Sequence, residues 1–346
     1  MPDDAERILS PRELNRAVLD RQLLLERSTD PVPAVLERMA GLQAQYAPAI
    51  YIGLWSRAHG VERDVVTALL HEREIVQGTL LRATIHVVSK RDYWPWALAI
   101  RDARRALLKN LRPTPSVAEV EKAAATLREA MRDGPVTQRQ IDALIGSHLR
   151  RVVGFWVDMV RQPPSGTWEK RRADLYRLAE DWVGPPDATA EDGVALLVRR
   201  YLAGFGPAAP REIANWAGLP VATVAAALKT METRAYRTTD GTRLVDLAEA
   251  TIPPADAPAP VRFLPNWDAS LLVHARRSGI LPEEFRPRIF HIRAPQSFPV
   301  FLVDGQVAGT WKVEDGRLTY DEFRKLTAAE RRRRDEEADR LLAFHT

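Results

Sequence analysis

Three glycines, Gly41, Gly146 and Gly218, each stand just past a short stretch whose apolar residues recur at helical spacing. Each is followed by further helical sequence and then by residues suited to strands. This punctuation limits the fold more than any other feature, because a glycine in that position stops a helix and turns the chain. The third copy is the plainest. "VALLVRRYLAGFG" predicts a helix, and "PREIANWAGLP" a short helix closed by Gly218. Pro220 opens another, with Val221, Val224, Leu228 and Met231 on one face. "AYRTTDGTRLVDL" then predicts two strands around an Asp240-Gly241 turn.

In the second copy Thr137 and Gln140 form a capping box ahead of Ile141, Leu144 and Ile145. "HLRRVVGFWVDMVR" follows as a helix and "GTWEKRRADLYRLAEDW" as a hairpin. The first copy begins with Leu14, Ala17, Val18, Leu24 and Leu25 on one helical face. Asp30-Pro31 then caps a helix carrying Val32, Val35, Leu36 and Met39. Further helices run to Leu54 and Trp55 and through "VERDVVTALLHER", and "TLLRATIHVVS" predicts a strand region. Helix, helix, turn, helix and hairpin is the layout of a winged helix-turn-helix. The expectation is an α+β fold of three tandem units, at 10–113, 114–188 and 189–250. A generic α+β protein with short helices is the other reading. Residues 251–346 predict a proline-rich connector, a strand at "VRFL", a hairpin turning at Asp304-Gly305 and a charged terminal helix over 327–343.

Within the first copy, "GLQAQYAP" sets Gln43 and Gln45 one residue apart in an otherwise apolar stretch. The segment "MAGLQ" (39–43) resembles "WAGLP" (216–220), whose turn leads into the third unit's recognition-type helix. That comparison expects the two glutamines at the mouth of the equivalent helix, where a winged helix meets DNA. They read equally as solvated residues at a helix start.

The chain has 346 residues and no cysteine, which excludes disulfides, thiolate metal sites and a catalytic thiol. No apolar run approaches the roughly 20 residues of a membrane span, and "MPDDAERILSPREL" lacks a secretory h-region. A cytoplasmic protein with no membrane partner is expected. The formal charge is +4, with 50 Lys+Arg against 46 Asp+Glu. Basic runs such as "EKRRADLYR" suit nucleic acid but occur on solvated faces too.

"LNRAVLDRQLLLERS", "VPAVLERMAGLQAQYAPAIYIGLWSRAHG", "TLLRATIHVVSKRDYW", "VRRYLAGFGPA", "LLVHARRSGILPEEFRPRIF" and "VDGQVAGTWKVE" together closely resemble the winged-helix DNA glycosylases of the AlkZ/YcaQ type, from about Leu14 to Val313. The resemblance implies three winged helices in a C-shape around duplex DNA. It also implies a monofunctional glycosylase that hydrolyses the N-glycosidic bond of N7-alkylated purines, with interstrand crosslinks unhooked by some members. "Gln43-Ala44-Gln45" matches the family's Gln-x-Gln motif, which implies Gln43 and Gln45 as catalytic residues. No cofactor is expected, and a monomer bound to double-stranded DNA is. The alternative from another class is a tandem winged-helix DNA-binding protein without turnover.

Other residues are candidates for contact with DNA. Strand alternation would put Arg82, Thr84 and His86 on one face, either lining the cleft or pairing internally. Trp168, Lys170, Arg171 and Arg172 would contact phosphates or wedge into a groove, with Trp168 equally readable as core. Asp268, His274 and Arg277 lie in "LPNWDASLLVHARR". Asp268 and His274 are six residues apart, which does not give a helical metal pair, and no third ligand stands nearby. No metal site is expected.

Overall fold

A computed structural model describes residues 6–272, 279–291 and 296–345. The chain is mixed α+β. It opens with strand β1 (Arg7–Leu9) and helix α1 (Pro11–Arg21), whose start carries a full Ser10/Glu13 capping box. The first unit follows as α2 (Val32–Arg38), β2 (Leu42–Gln43), α3 (Ala47–Trp55), α4 (Arg63–His71), β3 (Ile75–Thr79) and β4 (Ile85–Ser89). Helices α5 (Lys90–Ala99) and α6 (Arg101–Ala106) connect it to the second. That unit is α7 (Val117–Ala130), β5 (Val136–Thr137), α8 (Gln138–Ile145), α9 (Ser147–Val153), β6 (Met159–Arg161) and β7 (Leu175–Leu178). After α10 (Ala179–Val183), the third unit is α11 (Ala190–Phe205), α12 (Pro210–Ala217), α13 (Val221–Leu228), β8 (Thr233–Thr238) and β9 (Arg243–Leu247). The rest comprises β10 (Arg262–Leu264), α14 (Arg286–Ile289), β11 (Phe290–His291), β12 (Gln296–Ser297), β13 (Val300–Val303), β14 (Gln306–Glu314), β15 (Arg317–Glu322) and α15 (Ala328–His345).

The same pairing scheme recurs in all three units. A short strand before a helix pair docks on the last strand of the hairpin that follows the pair. In the first unit β2 pairs with β4, in the second β5 pairs with β7, and in the third the lone bridge Ala208–Val245 does the same job. The first two units then join edge to edge through Gly78 and Val160. One six-stranded sheet results, in the order β2-β4-β3-β6-β7-β5. At this junction Gly78 also leaves room for the Tyr93 ring, from which a Cβ would lie only 2.7 Å. Side chains alternate across the sheet, so both faces are buried. Val76, Val88 and Val160 face a core with Tyr93, Trp96, Tyr201 and Trp216. Leu42, Ile75 and Val87 face one with Tyr51, Trp168 and Phe263.

Local signals placed many elements as expected. Thr137 and Gln140 cap α8, Gly218 ends α12 in the left-handed region at φ 71°, and Asp304-Gly305 turns the β13–β14 hairpin. Four expectations need correcting. Helix α2 is capped by Pro31 rather than Asp30. "TLLRATIHVVS" is not one strand: residues 81–83 form a 3-10 turn in which Arg82 and Ala83 have φ of 52° and 58°, so strand alternation does not govern residue 82. "HLRRVVGFWVDMVR" is a helix only to Val153, after which Met159–Arg161 pairs with β7. Residues 162–174 are therefore the loop of the β6–β7 hairpin and not a hairpin themselves.

The fourth correction concerns the glutamines. In the repeating scheme Gln43 corresponds to Thr137 and Ala208, on the strand before the helix pair. The helix in the recognition position of the first unit is α4, a full helix later. The likeness of "MAGLQ" to "WAGLP" reflects a shared helix-ending glycine, not a shared place in the unit.

Candidate active site

Gln43 ends β2, directly opposite His86 on β4, so the two side chains share one face of the sheet at its edge. Gln43 is half-buried, and its carboxamide has no hydrogen-bond partner among the described residues. Pairing extends one step further through the Ala44 N–H to the Ile85 carbonyl at 2.8 Å. Gln45 is then exposed, and its Oε1 accepts from the Ile85 N–H at 3.3 Å. Thus β4 anchors both glutamines, one by its strand partner and the other by its side chain.

His86 is buried beside Gln43. Its Nδ1 donates to the Thr84 carbonyl at 3.1 Å, which places the proton there and leaves Nε2 as an acceptor. Burial, reinforced by the charge of Arg82, pushes the imidazole down to about 3. The ring is neutral at pH 7 and neither supplies charge to the site nor acts as an acid there. Thr84 turns its hydroxyl back to the Leu81 carbonyl at 3.0 Å. Arg82 reaches the Trp216 carbonyl in the third unit, and burial lowers its guanidinium to about 10. It is cationic at neutral pH, but it pins the β3–β4 turn to α12 rather than standing free for a phosphate.

The β6–β7 loop approaches from the second unit. Lys170, Arg171 and Arg172 are exposed, as phosphate contacts must be, although Arg172 is held by Asp174 at 2.8 Å. Trp168 does not share their surface. It is buried with edge contacts to Tyr51, Phe344 and His345 at ring distances of 5.6, 5.9 and 5.1 Å, which corrects its reading as a wedge or phosphate ligand. Arg171 donates to the Tyr46 hydroxyl at 3.1 Å, bringing the basic loop to the residue next to Gln45.

Asp268 is likewise not a surface contact. It forms a fully buried pair with Arg57, in the turn just past α3, at 2.9 Å and accepts from the Ser270 N–H and hydroxyl at 3.0 and 2.6 Å. Its function in this structure is to fix the segment after β10 against the first unit. His274 and Arg277 lie outside the described residues.

Two residues at the site escape a reading from sequence. Arg57 looks like any surface arginine near a helix end until its partner, 211 positions away, is known. Tyr46 has a weak local signal. It is the N-cap of α3 yet makes no capping bond, where Ser, Thr or Asp would contribute about 1 kcal/mol.

Known proteins share this architecture. A curated relative from Streptomyces sahachiroi, described as an interstrand DNA cross-link repair glycosylase, is 21% identical, with 88% of each chain covered. The solved structure of the Streptomyces sahachiroi DNA glycosylase AlkZ superposes with a TM-score of 0.79 at 17% identity, covering 97% of this chain and 96% of that one. A family model described as DNA glycosylase AlkZ-like matches residues 36–344, a span that includes both glutamines, the basic loop and Asp268. By that match the chain belongs to the AlkZ-like DNA glycosylase family.

Proposed function

We propose that this DNA glycosylase acts on N7-alkylated purines in double-stranded DNA, with Gln43 and Gln45 as its catalytic residues. The three repeated units are then winged helix-turn-helix modules at about 10–113, 114–188 and 189–250. They are arranged as a C around the duplex, and the chain acts as a monomer without cofactor. Bulky natural-product adducts and interstrand crosslinks fall within the proposed range, in keeping with the name of the Streptomyces relative.

The observation that carries the reading is the pair of non-titrating amides, one of them unpartnered among the described residues and set beside a neutral imidazole. Alkylation at N7 leaves the purine cationic. It departs with the electrons of the C1′–N9 bond as a neutral base and needs no proton from an acid. What remains is to stabilise a cationic sugar and deliver water to C1′. In this account the Gln45 carbonyl accepts a hydrogen bond from that water and orients it, while the Gln43 dipole faces the sugar. The water oxygen bonds to C1′ and its proton passes to solvent.

The test is incubation with DNA carrying N7-methylguanine, a bulky N7 adduct or an N7 crosslink, scoring free base and abasic sites. Release of N7-methylguanine in a single turnover is expected. DNA binding without release of any of the three would overturn the proposal.

A further inference from the structure

Tyr46 is anomalous in its place. It follows Gln45 directly and is 39% exposed, and at the helix start it occupies its side chain satisfies none of the free backbone N–H groups. Its ring already carries a cation. The Arg171 guanidinium sits 6.0 Å from the Tyr46 centroid, the outer limit of a cation–π contact, and donates to the hydroxyl at 3.1 Å. Arg171 is itself exposed, reaches Tyr46 from a neighbouring unit and also donates to the Trp168 carbonyl at 3.3 Å, so its guanidinium can exchange the Tyr46 ring for a DNA phosphate. Once it does, an aromatic face stands uncovered next to the glutamine that would orient water.

We propose that Tyr46 is a specificity-determining residue: its exposed ring beside Gln45 receives the positively charged alkylated purine, and Arg171 covers that ring in the DNA-free enzyme. The negative face of an aromatic ring attracts a delocalised planar cation more than a neutral base of the same shape. An N7-alkylated guanine differs from guanine by that charge as well as by the alkyl group. Tyr46 would therefore select for the feature that makes the base a leaving group.

The proposal rests on the reading of N7-alkylpurine as substrate, and binding measurements separate the two. Two duplexes are compared, one with N7-methylguanine and one with neutral 7-methyl-7-deazaguanine, both on a 2′-fluoro sugar that resists cleavage. The wild-type protein should bind the cationic duplex about tenfold more tightly. Tyr46→Phe keeps the ring and should keep that ratio, whereas Tyr46→Leu should bring it close to one. An unchanged far-ultraviolet circular-dichroism spectrum and melting temperature would show that Tyr46→Leu is folded. A ratio in Tyr46→Leu equal to wild type overturns the role of Tyr46 alone. A wild-type ratio near one overturns both this proposal and the substrate reading.

Discussion

In the third unit Ala208 bridges to Val245, and the very next residue, Ala209, starts α12 with its N–H held by Glu212 at 2.6 Å. In the first unit Gln43 pairs with His86, but Ala44 and Gln45 intervene before Tyr46 starts α3. One turn is closed and self-satisfied. The other is longer by two residues and presents an exposed amide and an exposed ring. The candidate site thus lies at the point where one copy of a repeated scaffold departs from the minimal connection. The hairpins differ in the same spirit. Arg237 and Arg243 of the third unit are both held by Glu6 at 2.8 Å, while Lys170 and Arg171 of the second are exposed beside the site.

The units are alike in how each is anchored, and this gives the largest expected effect. Arg57–Asp268 fixes the first unit and Arg21–Asp246 the third, each pair buried. Asp268→Ala or Asp246→Ala leaves a buried arginine uncompensated, at about 3–5 kcal/mol in chemical denaturation. A loss below about 1 kcal/mol in either would break the parallel.

A smaller effect separates the first unit. His86 has a folded pKa of about 3 against an unfolded value near 6.5. The unfolded chain takes up the proton first, so the stability His86 provides is complete above pH 6.5 and is lost as pH falls toward 3. By pH 4.5 that amounts to about 2–3 kcal/mol. His86→Gln should flatten the acid side of a stability profile by a comparable amount. Base release should stay level from pH 6 to 8, since neither glutamine nor His86 titrates there.

The smallest effect compares the hairpins of the second and third units. Lys170→Ala with Arg171→Ala should reduce the slope of log K against log salt for DNA binding by about 2. Arg237→Ala with Arg243→Ala should change it by less than about 1, because Glu6 already neutralises part of their charge. Equal changes would remove the distinction between the two hairpins.

Features set by near neighbours were legible in the sequence. The Thr137/Gln140 box, the helix stop at Gly218 and the turns at Asp240-Gly241 and Asp304-Gly305 depend on residues within a few positions. Gln43 and Gln45 stand out in the sequence as two amides in an apolar stretch, and only their catalytic role comes from family resemblance; their place in the unit differs from expectation because "MAGLQ" reports a helix end but not the strand pairing that follows. The sequence leaves Trp168 open between core and DNA surface and places Asp268 on that surface, because nothing local reveals that Phe344, His345 and Arg57 cover them. Arg82 broke its strand through a left-handed backbone that its residue type does not announce.

The central claim is that the longer turn of the first unit carries the chemistry, and single-turnover release of N7-methylguanine from duplex DNA tests it most directly. Gln43→Ala and Gln45→Ala should each slow release by about a hundredfold while DNA affinity stays near wild type. Thr137→Ala, at the matching position of the second unit, should leave the rate within about twofold, its cost being a helix cap. Full release rates in both glutamine variants, with DNA binding intact, would contradict the account.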